Sequence, residues 1–170
     1  MNISTQAAKS PSANCRESLQ LWLQSRTQQY PLALTLTFKD FYVEKTPTGH
    51  VTRVLSRATC EKALARFQLK LNRAVFGRSA ADKRHASLQY LVALEGEISG
   101  KRLHAHLALG GPPPNMMPHQ LQKHIEKAIQ LVPAIDSRFK LEIADSGWLA
   151  YMGKEATAKN TDNILWQLCK

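Results

Sequence analysis

The sequence contains few cysteines and no long apolar stretch. Its three cysteines, Cys15, Cys60 and Cys169, are scattered, and no two of them form a Cys-x-x-Cys pair. This spacing argues against a zinc knuckle or a disulfide scaffold and fits a reducing cytoplasm. No apolar run is long enough to span a bilayer, and residues 1–14 lack the apolar centre of a signal peptide.

Acidic residues are also scarce. The chain carries 23 Lys and Arg against 13 Asp and Glu, which gives a formal charge of +10 and a pI near 9.8. A basic surface of this kind suits nucleic acid or an anionic membrane, and the lack of a spanning segment weakens the membrane alternative. The length of 170 residues fits one domain, which we expect over residues 14–170 after a flexible arm over residues 1–13.

Hydrophobic periodicity predicts an α+β fold. The predicted helices span residues 15–28, 59–76, 118–132 and 147–158, the predicted strands span residues 32–38, 88–95, 103–109 and 138–144, and an extra short strand is expected over residues 50–55. Residues 77–83 are predicted to form a loop, and residues 161–170 a short tail with one or two helical turns. The order β-α-β-β-α-β followed by a helix is the split βαβ (RRM/ferredoxin-like) pattern. It predicts an antiparallel sheet with two helices on one face and an open second face.

Strand alternation assigns side chains to these two faces. In the first strand Leu34, Leu36 and Phe38 face the core, so Thr35 and Thr37 face the open side. The first and third strands are central neighbours in this topology, which should place the two threonines beside the third strand's polar residues. In the last strand the inward residues are predicted to be Phe139, Leu141 and Ile143.

Two histidines in the third strand form a candidate metal site. His104 and His106 are two residues apart, so their side chains share one face of the strand. That face is the open one, because the residues that alternate with them are predicted to face the core: Leu103, Ala105, Leu107 and Leu109. In the second strand Tyr90, Val92 and Leu94 are predicted to face the core, so Glu95 reaches the histidine face at the hairpin end. Glu97 is the rival ligand if a bulge shifts the parity. Two imidazoles and one carboxylate suit a divalent ion that keeps positions open for phosphate or water.

The last predicted helix supplies a nucleophile and a cation. Tyr151 and Lys154 are three residues apart and therefore share a helical face, and Ser146 is placed to cap this helix. A lone His-x-His in a strand is more often structural, a lone tyrosine more often packs, and a lone lysine is more often solvated. The conjunction of a Lewis-acid site, a hydroxyl and a cation is instead the minimum set for attacking a phosphodiester.

Together these segments resemble a known family. Leu34-Thr-Leu-Thr-Phe38, Glu95 with His104-Ala-His106, and Tyr151-Met-Gly-Lys154 are similar in order and spacing to the three motifs of HUH endonucleases. The closest type is the nuclease domain of rolling-circle replication initiators. The resemblance covers about residues 30–158. It implies that His104, His106 and Glu95 hold magnesium or manganese. It also implies that Tyr151 becomes linked to the 5′ end of a DNA strand and that Lys154 is the helix lysine.

The resemblance also implies the partners. The substrate would be single-stranded DNA, as an origin sequence or a hairpin, and a polymerase could extend the released 3′-hydroxyl. No Gly-x-x-x-x-Gly-Lys-Ser/Thr motif is present, so a host helicase or a further domain would unwind the duplex. The predicted location is the bacterial cytoplasm or the host-cell replication site of a virus or plasmid. The predicted DNA-binding residues are Thr35, Thr37, Lys39, Lys101 and Arg102.

Two other functions stay open. The first is a single-tyrosine transposase of the same superfamily, which normally exchanges the tyrosine helix between subunits. The second is a non-catalytic RRM-like nucleic-acid-binding module, although the strands lack the paired aromatic residues that stack bases in that module. The basic side of the helix over residues 59–76 also has two interpretations, as a solvated face or a DNA contact; its cations are Lys62, Arg66, Lys70 and Arg73.

Overall fold

A four-stranded antiparallel sheet organises the chain in the computed structural model, which describes residues 11–96, 100, 102–145, 147–154 and 162–170, with the backbone alone for residues 11–16. The helices are α1 (Pro11–Gln24), α2 (Arg57–Phe76), α3 (Arg78–Lys83), α4 (Pro118–Gln130) and α5 (Trp148–Met152). The strands are β1 (Leu32–Phe38), β2 (Phe41–Thr46), β3 (Gly49–Val54), β4 (Gln89–Glu95), β5 (His104–Gly110) and β6 (Ile135–Ile143). Single 3₁₀ turns span Thr27–Gln29 and Trp166–Leu168.

The strand order of the sheet is β4-β5-β1-β6. This arrangement confirms the predicted α+β class and is compatible with the split βαβ fold, with β1 and β5 at the centre. The register pairs Thr35 with His106 and Thr37 with His104, as the topology predicted. The two threonines and the two histidines therefore lie side by side on one face.

The other face of the sheet packs under α2 and α4. Alternate apolar residues of β1, β4 and β5 are fully or almost fully buried there: Leu34, Leu36, Phe38, Tyr90, Val92, Leu94, Ala105, Leu107 and Leu109. From α2, Leu64, Phe67 and Leu71 complete this cluster. The helix begins where the Ser56 hydroxyl accepts a hydrogen bond from the Thr59 amide at 3.2 Å. The inward parity assigned to β4 and β5 is confirmed.

The histidine face, which was predicted to be open, is only partly open. A second apolar cluster covers much of it, because α1 and α5 pack Leu23 and Met152 against Leu91, Ala93 and Ala108. Since small and apolar residues occupy the central part of this face, helices can lie directly on it. The polar residues are left at one end, where β4 ends and β5 begins.

The segment over residues 162–170 covers the outer edge of β4. The Leu94 amide donates to the Asn163 carbonyl at 2.8 Å, and the Leu165 amide donates to the Val92 carbonyl at 2.9 Å. Tyr90 and Lys170 exchange backbone hydrogen bonds of 3.0 and 2.8 Å. An uncovered edge strand would expose unpaired backbone groups, and this segment satisfies them. The predicted short helical turn in this tail is confirmed at Trp166–Leu168, whereas the pairing with β4 was not predicted.

Several local predictions were wrong. Residues 77–83 are not a loop, because Arg78–Lys83 form α3, which is tied to α2 by the Arg73 Nε–Asp82 Oδ1 ion pair of 2.8 Å. The extra strand predicted over residues 50–55 is present as β3, but its partner β2, over residues 41–46, was missed, and the two strands form a separate hairpin. Ile143 is 85% exposed because it is the last residue of an edge strand, beyond the reach of the covering helices.

Helix bounds also differ from the prediction. The first helix spans Pro11–Gln24, so it starts within the predicted arm and ends four residues before the expected Gln28. The last helix ends at Met152, because Gly153 closes it with a hydrogen bond from its amide to the Leu149 carbonyl at 3.3 Å. Ser146, the predicted cap, and residues 1–10 lie outside the described residues.

Candidate metal centre and nucleophile

Glu95, His104 and His106 meet at one end of the sheet. Glu95 is the last residue of β4 and is paired with His104, the first residue of β5. His106 follows on the same face, so one ligand atom from each of the three side chains lies within 4.8 Å of the others. This group could hold a metal ion. Glu97, the rival third ligand, lies outside the described residues.

The carboxylate of Glu95 is the centre of the group. Its Oε2 atom lies 3.5 Å from His104 Nε2, 3.4 Å from His106 Nε2 and 3.1 Å from Lys154 Nζ. Burial raises the pKa of this carboxyl, which is 1% exposed, but the contacts from the two histidines and the lysine outweigh burial and hold the pKa well below its usual range. The Glu95 carboxyl is therefore held in its ionised form, which is the form that binds a metal cation.

Two atoms of this group are buried without a hydrogen bond. Glu95 Oε1 and His106 Nε2 have no hydrogen-bond partner within the described part of the chain. Buried polar atoms are nearly always satisfied, so a pair of orphaned potential ligand atoms needs a physical explanation. A cation bound between them would supply it, and the donor set of two imidazoles and a carboxylate fits that interpretation.

Both imidazoles are oriented through their second nitrogen. His104 Nδ1 donates to the Arg102 carbonyl at 2.9 Å, which directs its Nε2 toward Glu95. His106 Nδ1 lies 3.1 Å from the Thr35 hydroxyl oxygen. Metal-binding histidines commonly have such a partner, because it fixes the tautomer and the plane of the ring. Thr35 thus contacts a candidate ligand directly.

Tyr151 lies beside the histidines. Its ring centroid is 5.3 Å from that of His106, with an interplanar angle of 78°. Trp148 stacks on Tyr151 at 5.8 Å and 18°, and it also meets His106 edge-on at 5.2 Å. Tyr151 remains 43% exposed, so its side chain is accessible from solvent. Trp148 is not among the predicted site residues; its spacing of three residues from Tyr151 is the sequence signal for this contact.

Lys154 reaches the site from just beyond the helix. It follows the closing Gly153 rather than lying within α5, yet its Nζ is 3.5 Å from the Tyr151 ring centroid and 3.1 Å from Glu95 Oε2. Burial lowers the pKa of the Lys154 ammonium, whereas Tyr151 and Glu95 raise it more strongly, and the net pKa is raised. Lys154 is therefore a fixed cation and is unsuited to act as a base.

Asn163 joins α5 to β4. Its side-chain Nδ2 donates to the Met152 carbonyl at 3.2 Å, while its own carbonyl accepts from the Leu94 amide at 2.8 Å. This bridge fixes the end of the tyrosine helix one residue away from Glu95 in β4. No spacing or composition in the sequence indicates the role of Asn163, because it depends on a contact between segments distant in the chain.

The residues predicted to bind DNA do not all lie on one surface or have the same surroundings. Thr35 and Thr37 lie on the histidine face, and the exposed Lys39 follows β1, with its amide bound to the Ala134 carbonyl at 3.0 Å. Arg102 is already engaged in ion pairs. Its partners are Asp40, at 3.3 Å, and Asp136, at 3.4 Å. Lys101 lies outside the described residues.

Comparison of the chain with protein families, curated proteins and solved structures found no match. The resemblance to HUH endonucleases therefore stays a prediction that depends on the motifs and their geometry. Among the described residues, no helix is both long and apolar enough to cross a membrane.

Proposed function

We propose that the protein is a metal-dependent, site-specific single-stranded DNA endonuclease and strand transferase of the single-tyrosine HUH type, which initiates rolling-circle replication. The observation that carries this proposal is the convergence of a candidate metal group with one accessible tyrosine. Tyr151 packs against the candidate ligand His106, and Lys154 contacts both Tyr151 and Glu95. A solvated surface tyrosine or a structural histidine pair would not require this arrangement.

We further propose magnesium or manganese as the ion. His104, His106 and Glu95 would hold it through Nε2, Nε2 and the carboxylate, and the contacts at both histidine Nδ1 atoms would keep those rings oriented. When bound, the ion would polarise a non-bridging phosphate oxygen and offset the charge that develops during attack.

The chain's own residues supply the nucleophile and its environment. The Tyr151 hydroxyl attacks the phosphorus in line, forming a Tyr–O–P bond while the bond from phosphorus to the 3′ oxygen breaks. The phenolic proton is lost, and the departing 3′ oxygen gains one. The products are a 5′-phosphotyrosine link and a free 3′-hydroxyl. The fixed positive charge of Lys154 compensates the phosphate or phenolate charge.

The covalent link also provides for rejoining. It conserves the energy of the phosphodiester, so a hydroxyl can reverse the step and join strands, while a polymerase can extend the free 3′-hydroxyl in the interval. The proposed substrate is an origin sequence or hairpin, opened by a separate helicase.

The packing of α5 supports action in cis: Met152 lies in the same apolar cluster as Ala93 and Ala108 of the chain's own sheet. A transposase of the alternative type would exchange this helix between two subunits.

The test is a search for the covalent adduct. The protein is incubated with a pool of single-stranded DNA and Mn²⁺, and the adduct is digested with nuclease and mapped by mass spectrometry. The nucleotide is expected on the peptide that contains Tyr151. Tyr151→Phe should abolish the adduct while preserving the fold and DNA binding, because it removes one oxygen and little packing area.

Tyr42→Phe is the matched control, since Tyr42 is a partly exposed tyrosine outside the candidate site. It should leave the adduct unchanged. An adduct on another tyrosine would overturn the assignment of the nucleophile. Cleavage without any adduct would instead favour a nuclease in which the metal activates water.

A further inference from the structure

The β2–β3 hairpin forms one wall of a basic cleft. The hairpin is inserted between β1 and α2 and does not pair with the four-stranded sheet; the Leu55 amide closes its base on the Asp40 carbonyl at 2.9 Å. Between the hairpin, α2 and residues 132–134 lies a cleft of about 640 Å³. Because α2 packs on the sheet face opposite to the histidines, this cleft is separate from the candidate metal group.

Positive charge comes from both walls of the cleft. Lys45 and Arg53 belong to the hairpin, and Lys62 and Arg66 are one turn apart on the same side of α2. The one carboxylate in the lining, Glu44, is paired with Arg53 at 3.0 Å. For Lys45, Lys62 and Arg66, the part of the chain that the structure describes offers no ion pair, and all three are exposed.

Spaced cations on two facing walls suit a ligand with repeating negative charges. The lining has a single aromatic residue, Tyr42, so it lacks the successive rings on which unpaired bases stack. Contacts in such a cleft would fall on phosphates, which position a nucleic acid without reading its sequence. We propose that this cleft is a second DNA-binding site, which holds the phosphodiester backbone at a distance from the metal group. The proposal goes beyond the nuclease function and does not depend on it.

Salt-dependent binding tests the proposal directly. DNA affinity is measured in the Tyr151→Phe background with a chelator present, so that neither cleavage nor metal binding contributes. One arm uses a labelled duplex and the other a labelled single strand. The double variant Lys62→Gln, Arg66→Gln should lose about tenfold or more in affinity at low salt. Its log–log salt slope should fall by about 1.8 on duplex DNA or about 1.4 on a single strand, since each lost phosphate contact removes about 0.9 or 0.7.

The matched control removes the same charge elsewhere. Lys123 and Lys127 are exposed on α4 and do not line the cleft, and the double variant Lys123→Gln, Lys127→Gln should retain the parental slope. Lys45→Gln removes a cation from the opposite wall and should act in the same direction as the α2 variant. Equal losses in the cleft and control variants would show a general effect of net charge and would overturn the proposal, as would an unchanged slope in the cleft variant.

The experiments with duplex and with single-stranded DNA show which form of DNA occupies the cleft. A loss confined to the duplex assigns the cleft to the double-stranded flank of the substrate, and a loss confined to the single strand assigns it to the path of an unpaired strand. Adduct formation by the cleft variant in an otherwise native chain is a separate readout and should persist on a short single strand. If the native protein forms no adduct, the nuclease proposal fails, while the binding comparison still decides the cleft.

Discussion

The two faces of the sheet solve the same packing problem in different ways. The face under α2 and α4 is apolar along its whole length, and residues such as Leu36 and Leu107 are completely buried there. The histidine face is apolar only in its central part, where Ala93 and Ala108 receive α1 and α5. Its remaining end is polar, although Glu95 at that end is buried as deeply as a core leucine. The polar end is therefore organised for something other than packing.

This difference shows where the fold accepts an energetic cost. Removing a carboxylate from water is unfavourable unless charges and hydrogen bonds compensate it. Glu95 receives contacts from His104, His106 and Lys154, yet its Oε1 atom has no hydrogen-bond partner among the described residues. Departures from a well-satisfied core are expected at functional sites. The contrast between the faces thus supports the candidate site independently of the motifs.

The largest expected effect comes from removing both candidate ligands. The double variant His104→Ala, His106→Ala should reduce Mn²⁺-dependent adduct formation by about 10³-fold or more, which corresponds to about 4 kcal/mol of barrier. Because both side chains lie on the polar end, the apolar face should keep the protein folded. Metal titration and circular dichroism of the same sample separate the two effects. Unchanged cleavage would show that the two histidines do not hold a catalytic metal ion.

A cavity should affect activity differently on the two faces, because Leu107 lies on the α2 and α4 face and Met152 anchors the tyrosine helix. Leu107→Ala and Met152→Ala each empty a fully buried position, and each should lower the free energy of unfolding by about 2–5 kcal/mol. Only Met152→Ala should also slow adduct formation in the protein that remains folded, because it loosens α5 beneath Tyr151. Urea unfolding and single-turnover rates measure the two quantities. An equal rate loss in both variants would mean that the faces are not functionally distinct.

Strand parity is the part of the site that the sequence could predict. Side chains alternate with a period of two, so the identity of the inward leucines of β5 also placed His104 and His106 on the other face. The same argument brought Glu95 to them, and the observed pairing of Glu95 with His104 agrees. Parity is a local property of a strand, and it therefore survives without knowledge of the tertiary structure.

The covering of the histidine face could not be predicted in this way. The α1 stripe of Leu19 and Leu23 is visible in the sequence, but which surface it meets depends on the path of the chain. The pairing of residues 162–170 with the edge of β4 is equally non-local. Lys154 reached the site although the helix ended earlier than predicted, because the flexible lysine side chain tolerates a change in backbone position that a shorter residue would not.

A smaller effect distinguishes the two glutamates considered as the third ligand. Glu95→Gln should lower Mn²⁺ affinity and adduct formation, because an amide is a weaker ligand than a carboxylate and carries no negative charge. Glu97→Gln, in the segment outside the described residues, should change both by less. Parallel metal titrations of the two variants give the comparison. A larger loss at Glu97 would show that the hairpin connection presents a different carboxylate to the histidines.

The smallest effect is expected from the hydroxyl groups of two neighbouring threonines. Thr35 Oγ1 lies 3.1 Å from His106 Nδ1, whereas the described residues provide no hydrogen bond to the Thr37 hydroxyl, although Thr37 is paired with His104. Thr35→Val keeps the shape of the side chain but removes the partner that orients His106. Metal affinity should fall by about 10- to 100-fold, the range typical for removing such a partner. Thr37→Val is the isosteric control and should leave metal affinity unchanged. If the two threonines contact DNA and do not orient the histidines, both variants should weaken DNA binding in the presence of the chelator. Neither variant would then change metal affinity.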